Sequence, residues 1–435
     1  MTPVYPFFKK IIVFLLTLEA RLVLRVYKSH IIAITGSVGK TSTKDAIYSV
    51  VSKHAFVRKS EKSFNSEIGI PLTILGVPNG WNNPVRWLEN LLDGLLLIIW
   101  RRQYPEWLVL EVGADRPGDI VQIAKWLPVD IVVLTRIPDV PVHVEFFDSP
   151  EDVVREKAAL LLALRPEGKM VANADDARSM ELRERVPGQN ITYGFALGSD
   201  VHATSIRLLS ADGGLPVGIS ASVEIEGSTE KTEVAVLGTI GSHALSPILA
   251  GIAVGRLLGF DLRSMTEALA GHSAPAGRMR LLPGIKETLI VDDTYNASPV
   301  ATLAALDALS LVGNSNRLIA VLGDMLELGR YSVEMHRKVG ERAAALCDLL
   351  ITVGFRARDI ADGALNASMA DRNIMQFEDA QKAGKYLESI LEKGDVVLIK
   401  GSQSIRMERT VEEVMAEPER ASELLVRQER EWKKR

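Results

Sequence analysis

The stretch Ile31-Ile32-Ala33-Ile34-Thr35-Gly36-Ser37-Val38-Gly39-Lys40-Thr41-Ser42 decides the fold. An apolar run ends in a glycine-containing loop, and Lys-Thr-Ser opens a helical pattern. This order predicts a buried strand over 31–35, a tight turn, and a helix over roughly 41–53. Gly36 and Gly39 let backbone N–H groups turn toward a phosphate. The helix dipole adds positive potential at the same point. In such a loop Lys40 reaches the outer phosphates and the Thr41 hydroxyl holds Mg²⁺. Ile34 stands where the longer P-loop has Gly, so this is the shorter Thr-Gly-x-x-Gly-Lys-Thr form. A bland glycine turn is the alternative. Strand, turn, Lys-Thr and helix in this order favour nucleotide binding.

Outward from that loop, strands alternate with helices. Trp107-Leu108-Val109-Leu110-Glu111-Val112-Gly113 and Ile131-Val132-Val133-Leu134-Thr135 read as buried strands, with a helix opening at Pro117-Gly118-Asp119. Residues 201–237 carry short alternating runs separated by Gly, which predict antiparallel hairpins, and 243–270 return to helical periodicity. A second block has strand-like runs at Leu289–Asp293, Leu318–Gly323, Leu349–Val353 and Val396–Lys400. The fold class is therefore α/β. A P-loop central domain with a mostly parallel sheet plus antiparallel hairpins is followed by a Rossmann-like C-terminal domain. The expected divisions are 1–29 (an N-terminal amphipathic helix), 30–273 and 274–435. The charged tail after Pro418 reads as a solvated helix.

Two or three domains suit 435 residues, and 47% apolar with 24% charged residues are globular values. A net charge of −4 implies no general nucleic-acid affinity. The single cysteine, Cys347, excludes a disulfide framework and a Cys-based metal cluster, and a cytosolic chain fits best. Two apolar segments stand apart. Phe7-Phe8-Lys9-Lys10 precedes the run Ile11 to Leu18, too short to span a bilayer and without a clear cleavage site. Trp87 to Trp100 is strongly apolar, with Arg101-Arg102 behind it. Each packs onto its own protein or lies at a membrane interface, so residues 4–28 and 87–102 are candidates for peripheral membrane or partner contact.

Glu111 follows four apolar strand residues. A lone buried carboxylate is costly unless paired or bound to metal, and this strand end lies where Mg²⁺ is expected beside a P-loop. Ser149-Pro150-Glu151-Asp152 starts a helix, with Ser as cap and Pro at the first position. In that helix Lys157 shares the apolar face of Val153, Val154, Leu160 and Leu161. Such a lysine loses its proton, is chemically modified, or snorkels. With CO₂ it would give a carbamate and an anionic oxygen ligand. Gly277-Arg278, Asp292 to Pro299, Gly323 to Gly329 with His336, and Lys400-Gly401-Ser402 crowd strand ends of the second block.

Taken together these motifs resemble the Mur ligase family over roughly residues 31–415. The ordered set is Thr35-Gly36 through Ser42, Asn65 through Leu72, Glu111 through Ala114, His143 fourteen residues before Lys157, Asp292 through Pro299, Gly323 through Gly329, and Lys400 through Ser402. The resemblance implies ATP-dependent amide ligation in peptidoglycan precursor synthesis. The substrate carboxylate attacks the γ-phosphate, and an amine then displaces phosphate from the acyl phosphate. It implies ATP and Mg²⁺ as cofactors, with a muramyl peptide and D-Ala-D-Ala as substrates. Gly36, Ser37, Val38, Gly39, Lys40, Thr41, Ser42, His243, Arg278 and Asp293 would hold the nucleotide. Thr41, Glu111, His143 and a carbamylated Lys157 would hold metal. Lys40, Lys157, His143 and Arg278 would serve catalysis. Asn65, Tyr295, Asn296, Glu327, Lys400 and Ser402 would face substrate. The chain departs from the family at Ala244 and Pro247, where Asn is usual, at Ser298-Pro299, where Asn-Pro is usual, and ahead of the P-loop, where a UDP-binding domain is expected. A relative acting on poly-γ-glutamate or a lipid-linked acceptor is a rival, and so is a nucleotide-binding scaffold without ligation. A zinc-bearing lipid-amidating relative does not fit one cysteine.

Overall fold

A computed structural model describes residues 4–61, 64–81, 83–210, 215–228, 230–313, 316–429 and 432. Its centre is the strand His30–Thr35, flanked in parallel by Trp107–Glu111 and Val129–Leu134. Alternate side chains of the central strands enter different cores. Ile31, Ala33, Leu108 and Leu110 pack with the N-terminal helix, whereas Ile32, Ile34 and Val109 pack against the P-loop helix Lys40–Ser52 and the helix Ser246–Leu257. Covering both faces explains why these strands are apolar without alternation. Each buried Val, Leu or Ile among them contributes about 1.5–3 kcal/mol.

The whole sheet has nine strands. Its spatial order is Val57–Lys59, Trp107–Glu111, His30–Thr35, Val129–Leu134, Leu164–Asn173, Ile191–Gly194, Val201–Ser210, Pro216–Ile225 and Lys231–Leu237. The first seven run parallel, and the last two join antiparallel, as the alternation over 201–237 predicts. A second sheet of six strands runs Arg280–Gly284, Thr288–Asp293, Val396–Lys400, Leu318–Gly323, Leu349–Val353 and Ile374–Phe377. Arg280–Gly284 is its antiparallel edge, the position that tolerates Pro283.

Several strands are silent in the sequence. Val57–Lys59 has three residues, and Leu164–Asn173 begins with an exposed polar half containing Pro166 and Gly168. The expected solvated tail helix is corrected. The helix Ala421–Leu424 is four residues long, and Leu424, Leu425 and Arg427 are buried. Arg427 pairs with buried Glu408 at 2.9 Å and donates to the carbonyls of Thr294 and Tyr295. Those acceptors draw the tail in, and charge content alone does not reveal them.

The two apolar segments form the helices Val4–Tyr27 and Pro84–Ile99, which pack against each other. Tyr27 donates its hydroxyl to the Leu97 carbonyl at 2.9 Å, and Gly94 sits against the Glu19 carboxylate. Among the described residues no helix is long and apolar enough to cross a membrane.

Candidate active site

The parallel register delivers the site. Ile34 lies beside Glu111 on one side and Val133 on the other, so Glu111 ends its strand next to the loop that follows Thr35. The loop then turns sharply. Gly36 (φ +141°) approaches Thr135 so closely that a Cβ would lie 2.0 Å from its Oγ1, and Gly39 (φ +87°) precedes the helix. The amides of Ser37 and Val38 donate to the Arg136 carbonyl at 2.8 and 3.3 Å. Anion-directed donors are therefore those of the first helical turn, which have no intrahelical acceptor.

Glu111 is 3% exposed. It accepts from the Thr41 hydroxyl at 2.9 Å and from Asn65 Nδ2 at 3.4 Å. Lys44 Nζ lies 3.9 Å away. Lys40 Nζ bends back to the Gly36 carbonyl at 2.9 Å, with burial lowering its pKa and the Glu111 charge opposing that shift. Hard oxygen donors at Thr41 and Glu111 suit Mg²⁺.

Lys157 is on the helix Pro150–Ala158, capped as expected by Ser149, whose side chain accepts from the Asp152 amide. Its neighbour Glu156 accepts from the amides of Gly118, Ile120 and Val121, at 2.8, 2.6 and 3.2 Å. That carboxylate fastens the helix to the start of the preceding helix, Asp119–Ala124, and fixes where Lys157 points. Lys157 is 2% exposed and lines the cleft. Burial brings its ammonium down to about 7, and the Lys40 charge pushes the same way.

Strand ends of the second sheet close the other side. Asp293 pairs in register with Lys400, and their side chains form an ion pair at 2.5 Å. Lys400 also donates to the Asn296 carbonyl at 3.0 Å. Arg278 crosses over to donate to Thr41 Oγ1 at 3.1 Å, and its guanidinium lies 4.1 Å from the Tyr295 ring centre. Buried Asp292 accepts from Thr294 and the Gly277 amide, and desolvation pushes it up to about 6.

A cleft of about 720 Å³ joins these groups. Its wall takes in Ser37 to Thr43, Asn65, Glu111, His143, Lys157, His243, Arg278, Asp293, Tyr295, Asn296 and Lys400. Burial lowers the His243 pKa. Glu327 and Ser402 are engaged beside it. His143 Nδ1 meets Glu327 at 2.5 Å, which holds the Glu327 carboxyl below its usual range, and Ser402 Oγ accepts from the Leu326 amide at 2.9 Å. Among the described residues no three His, Cys, Asp or Glu side chains gather to hold a metal. Sequence reasoning missed Lys44, Asn173, Asp175 and Phe195. Lys44 was findable one turn after Lys40. Asp175 accepts from the amides of Phe195 and Ala196 across the sheet, a contact with no local signal.

Comparison with known proteins agrees with this architecture. The Mur ligase middle domain matches residues 34–255, and the Mur ligase glutamate ligase domain matches 277–403. A UDP-N-acetylmuramoyl-tripeptide–D-alanyl-D-alanine ligase of Synechocystis is 29% identical over 89% of this chain and 75% of its own. The enzyme of that name from Bacillus subtilis is 27% identical over 90% of this chain and 77% of its own. The crystal structure of a MurF ligase from Thermotoga maritima in complex with ADP superposes with a TM-score of 0.73 at 28% identity, covering 92% of this chain and 83% of that one. With its first matched domain alone spanning half of its length, the chain belongs to the Mur ligase family.

Proposed function

We propose that the protein is an ATP-dependent ligase that joins D-alanyl-D-alanine to a muramyl tripeptide in peptidoglycan precursor synthesis. One observation carries the reading. Lys40, Thr41 and Glu111 from the first sheet share a cleft with Arg278, Asp293 and Lys400 from the second. The names of the relatives and the ADP in the Thermotoga structure support the choice of substrates. Division near residue 273, between the two sheets, gives a central unit (30–273) and a C-terminal unit (274–435) that each supply half of the site.

In this mechanism the first-turn amides and Lys40 hold the triphosphate. The acceptor carboxylate attacks the γ-phosphorus, the bond to ADP breaks, and an acyl phosphate forms. The free amine then attacks the acyl carbon and expels phosphate, giving the amide. Mg²⁺ bound through Thr41 and Glu111 would offset charge as a carboxylate nears the triphosphate. With burial bringing the Lys157 ammonium down to about 7, a share of it is free amine, which reacts with CO₂ to a carbamate with loss of a proton and provides an anionic oxygen near Lys40. His143 is the remaining cation-ligand candidate once Glu327 releases it. Arg278 and Tyr295 close over the nucleotide, with His243 beside it. Asn65, Asn296, Lys400 and Ser402 lie toward the acceptor and amine. Closure excludes water from the acyl phosphate.

The test is mass analysis of products after incubation with ATP, the muramyl tripeptide nucleotide and D-Ala-D-Ala. The expected product gains one dipeptide, and one ADP forms for each. Lys40→Ala and Glu111→Ala should each slow turnover at least ~10²-fold, the scale of losing one charge-stabilising group. ATP consumed with no dipeptide incorporated would refute this substrate pair.

A further inference from the structure

The helix pair Val4–Tyr27 and Pro84–Ile99 is apolar on two sides: Ile12, Leu16, Val23, Trp87, Leu91 and Ile98 pack inward, and a second apolar face looks outward. Pro84–Ile99 buries Asn90 and Gly94 and leaves Val85, Leu88, Leu92, Leu95, Leu96 and Ile99 exposed. Those six positions fall at helical spacing on one face. The N-terminal helix likewise exposes Ile11, Phe14 and Leu18 while its Glu19 carboxylate faces Gly94. Ile99 is 65% exposed and Phe14 67%. An apolar stripe left outside after the inner apolar face has been buried is the pattern of a surface whose outer medium is not water.

Charge and aromatic placement identify that medium. Residues 4–28 and 84–102 hold eight Lys/Arg against three carboxylates, a local excess of five in a chain of net charge −4. Among the described residues Lys10, Arg21, Arg25, Lys28, Arg101 and Arg102 make no ion pair, whereas Arg86 neutralises Glu89 at 2.7 Å. Trp81 and Trp100, 73% and 66% exposed, flank the two ends of the helix Pro84–Ile99. Indole rings prefer the headgroup level, and cations there meet anionic lipid. A second copy on the same face would set like charges opposite each other. We propose that this helix pair is a monotopic docking surface that lays the protein on an anionic phospholipid bilayer, with the apolar stripe entering the headgroup–acyl boundary. Among the described residues no helix is long and apolar enough to cross the bilayer, so the proposal is of surface docking. The surface is distinct from the ligase cleft, so its test does not depend on the ligase reading.

The experiment is flotation of the full chain with phosphatidylglycerol-containing vesicles and with pure phosphatidylcholine vesicles. The chain should float with the anionic vesicles at low salt and detach as salt rises. Lys10→Gln, Arg101→Gln and Arg102→Gln should each weaken binding about fivefold. Leu92→Ser with Ile99→Ser should abolish it while thermal unfolding and ligation of soluble substrate stay unchanged. Tryptophan emission should shift to the blue with anionic vesicles, and Trp100→Phe should diminish the shift. Protein remaining in the bottom fraction at low salt would overturn the proposal, as would equal binding to both vesicle types. A dimer in light scattering that the Leu92/Ile99 variant disperses would also overturn it, by assigning the face to a second copy.

Discussion

Replacing Lys400 with Met should separate the architecture of the second sheet from its chemistry. Lys400 is 3% exposed, and its ammonium lies 2.5 Å from Asp293 and 3.0 Å from the Asn296 carbonyl. Methionine nearly matches the stem and removes the charge. Asp293 keeps one hydrogen bond, from the Met279 amide at 3.1 Å, and loses its only salt-bridge partner among the described residues. Stranding one member of a buried ion pair costs about 3–5 kcal/mol. For a unit of this size that lowers the melting temperature by roughly 10 °C. In Lys400→Met/Asp293→Asn the charge is gone from both sides, while an amide oxygen still accepts from Met279. The double variant should therefore recover most of the loss, to within about 1 kcal/mol, and show strong non-additivity. Calorimetry on the parent, both single variants and the double variant provides the measurement. Under the proposed mechanism the double variant is stable but ligates at least ~10²-fold more slowly. A Lys400→Met protein within about 1 kcal/mol of the parent would refute the argument, because the pair would then be screened by solvent.

Lys157→Ala should abolish ligation, and small carboxylic acids should restore part of it by standing in for the carbamate. A high-resolution map with Mg²⁺ bound beside a plain Lys157 ammonium would refute that role. Asp292 titrates near 6 in the folded chain, above an ordinary carboxyl, so the native state binds the extra proton between about pH 4 and 6. Stability contributed by this group therefore falls as pH rises through that window, and Asp292→Asn should flatten the slope in urea unfolding measured across it.

Legibility in the sequence followed from locality. The strand His30–Thr35 and the cap at Ser149 announce themselves because burial and capping act over a few residues. The burial of Lys157 was legible for the same reason, through its spacing from Val153 and Leu160. Pairings such as Lys400 with Asp293, or Arg427 with Glu408, join residues 107 and 19 positions apart, and only folded register brings them together. His143 shows the limit most clearly. Its interval from Lys157 counts only through the Mur ligase resemblance, and its contacts, Glu327 at 2.5 Å and Asp115 at 3.6 Å, have no local signal. The outward apolar face of Pro84–Ile99 was half legible. The sequence shows the apolar stripe and its tryptophans, and three-dimensional packing decides that the stripe faces out.

The bonds across the cleft have a kinetic consequence. Arg278 to Thr41 and His143 to Glu327 tie the two halves together through groups that ATP and its cation would claim. Under the proposed function, ligand arrival is an exchange of partners, in which each incoming phosphate or metal takes a place vacated by a side chain. A nucleotide too short to reach both ties would loosen one and leave the other intact. Under that function the number of ties broken distinguishes a complete substrate set from a partial one before any bond is made.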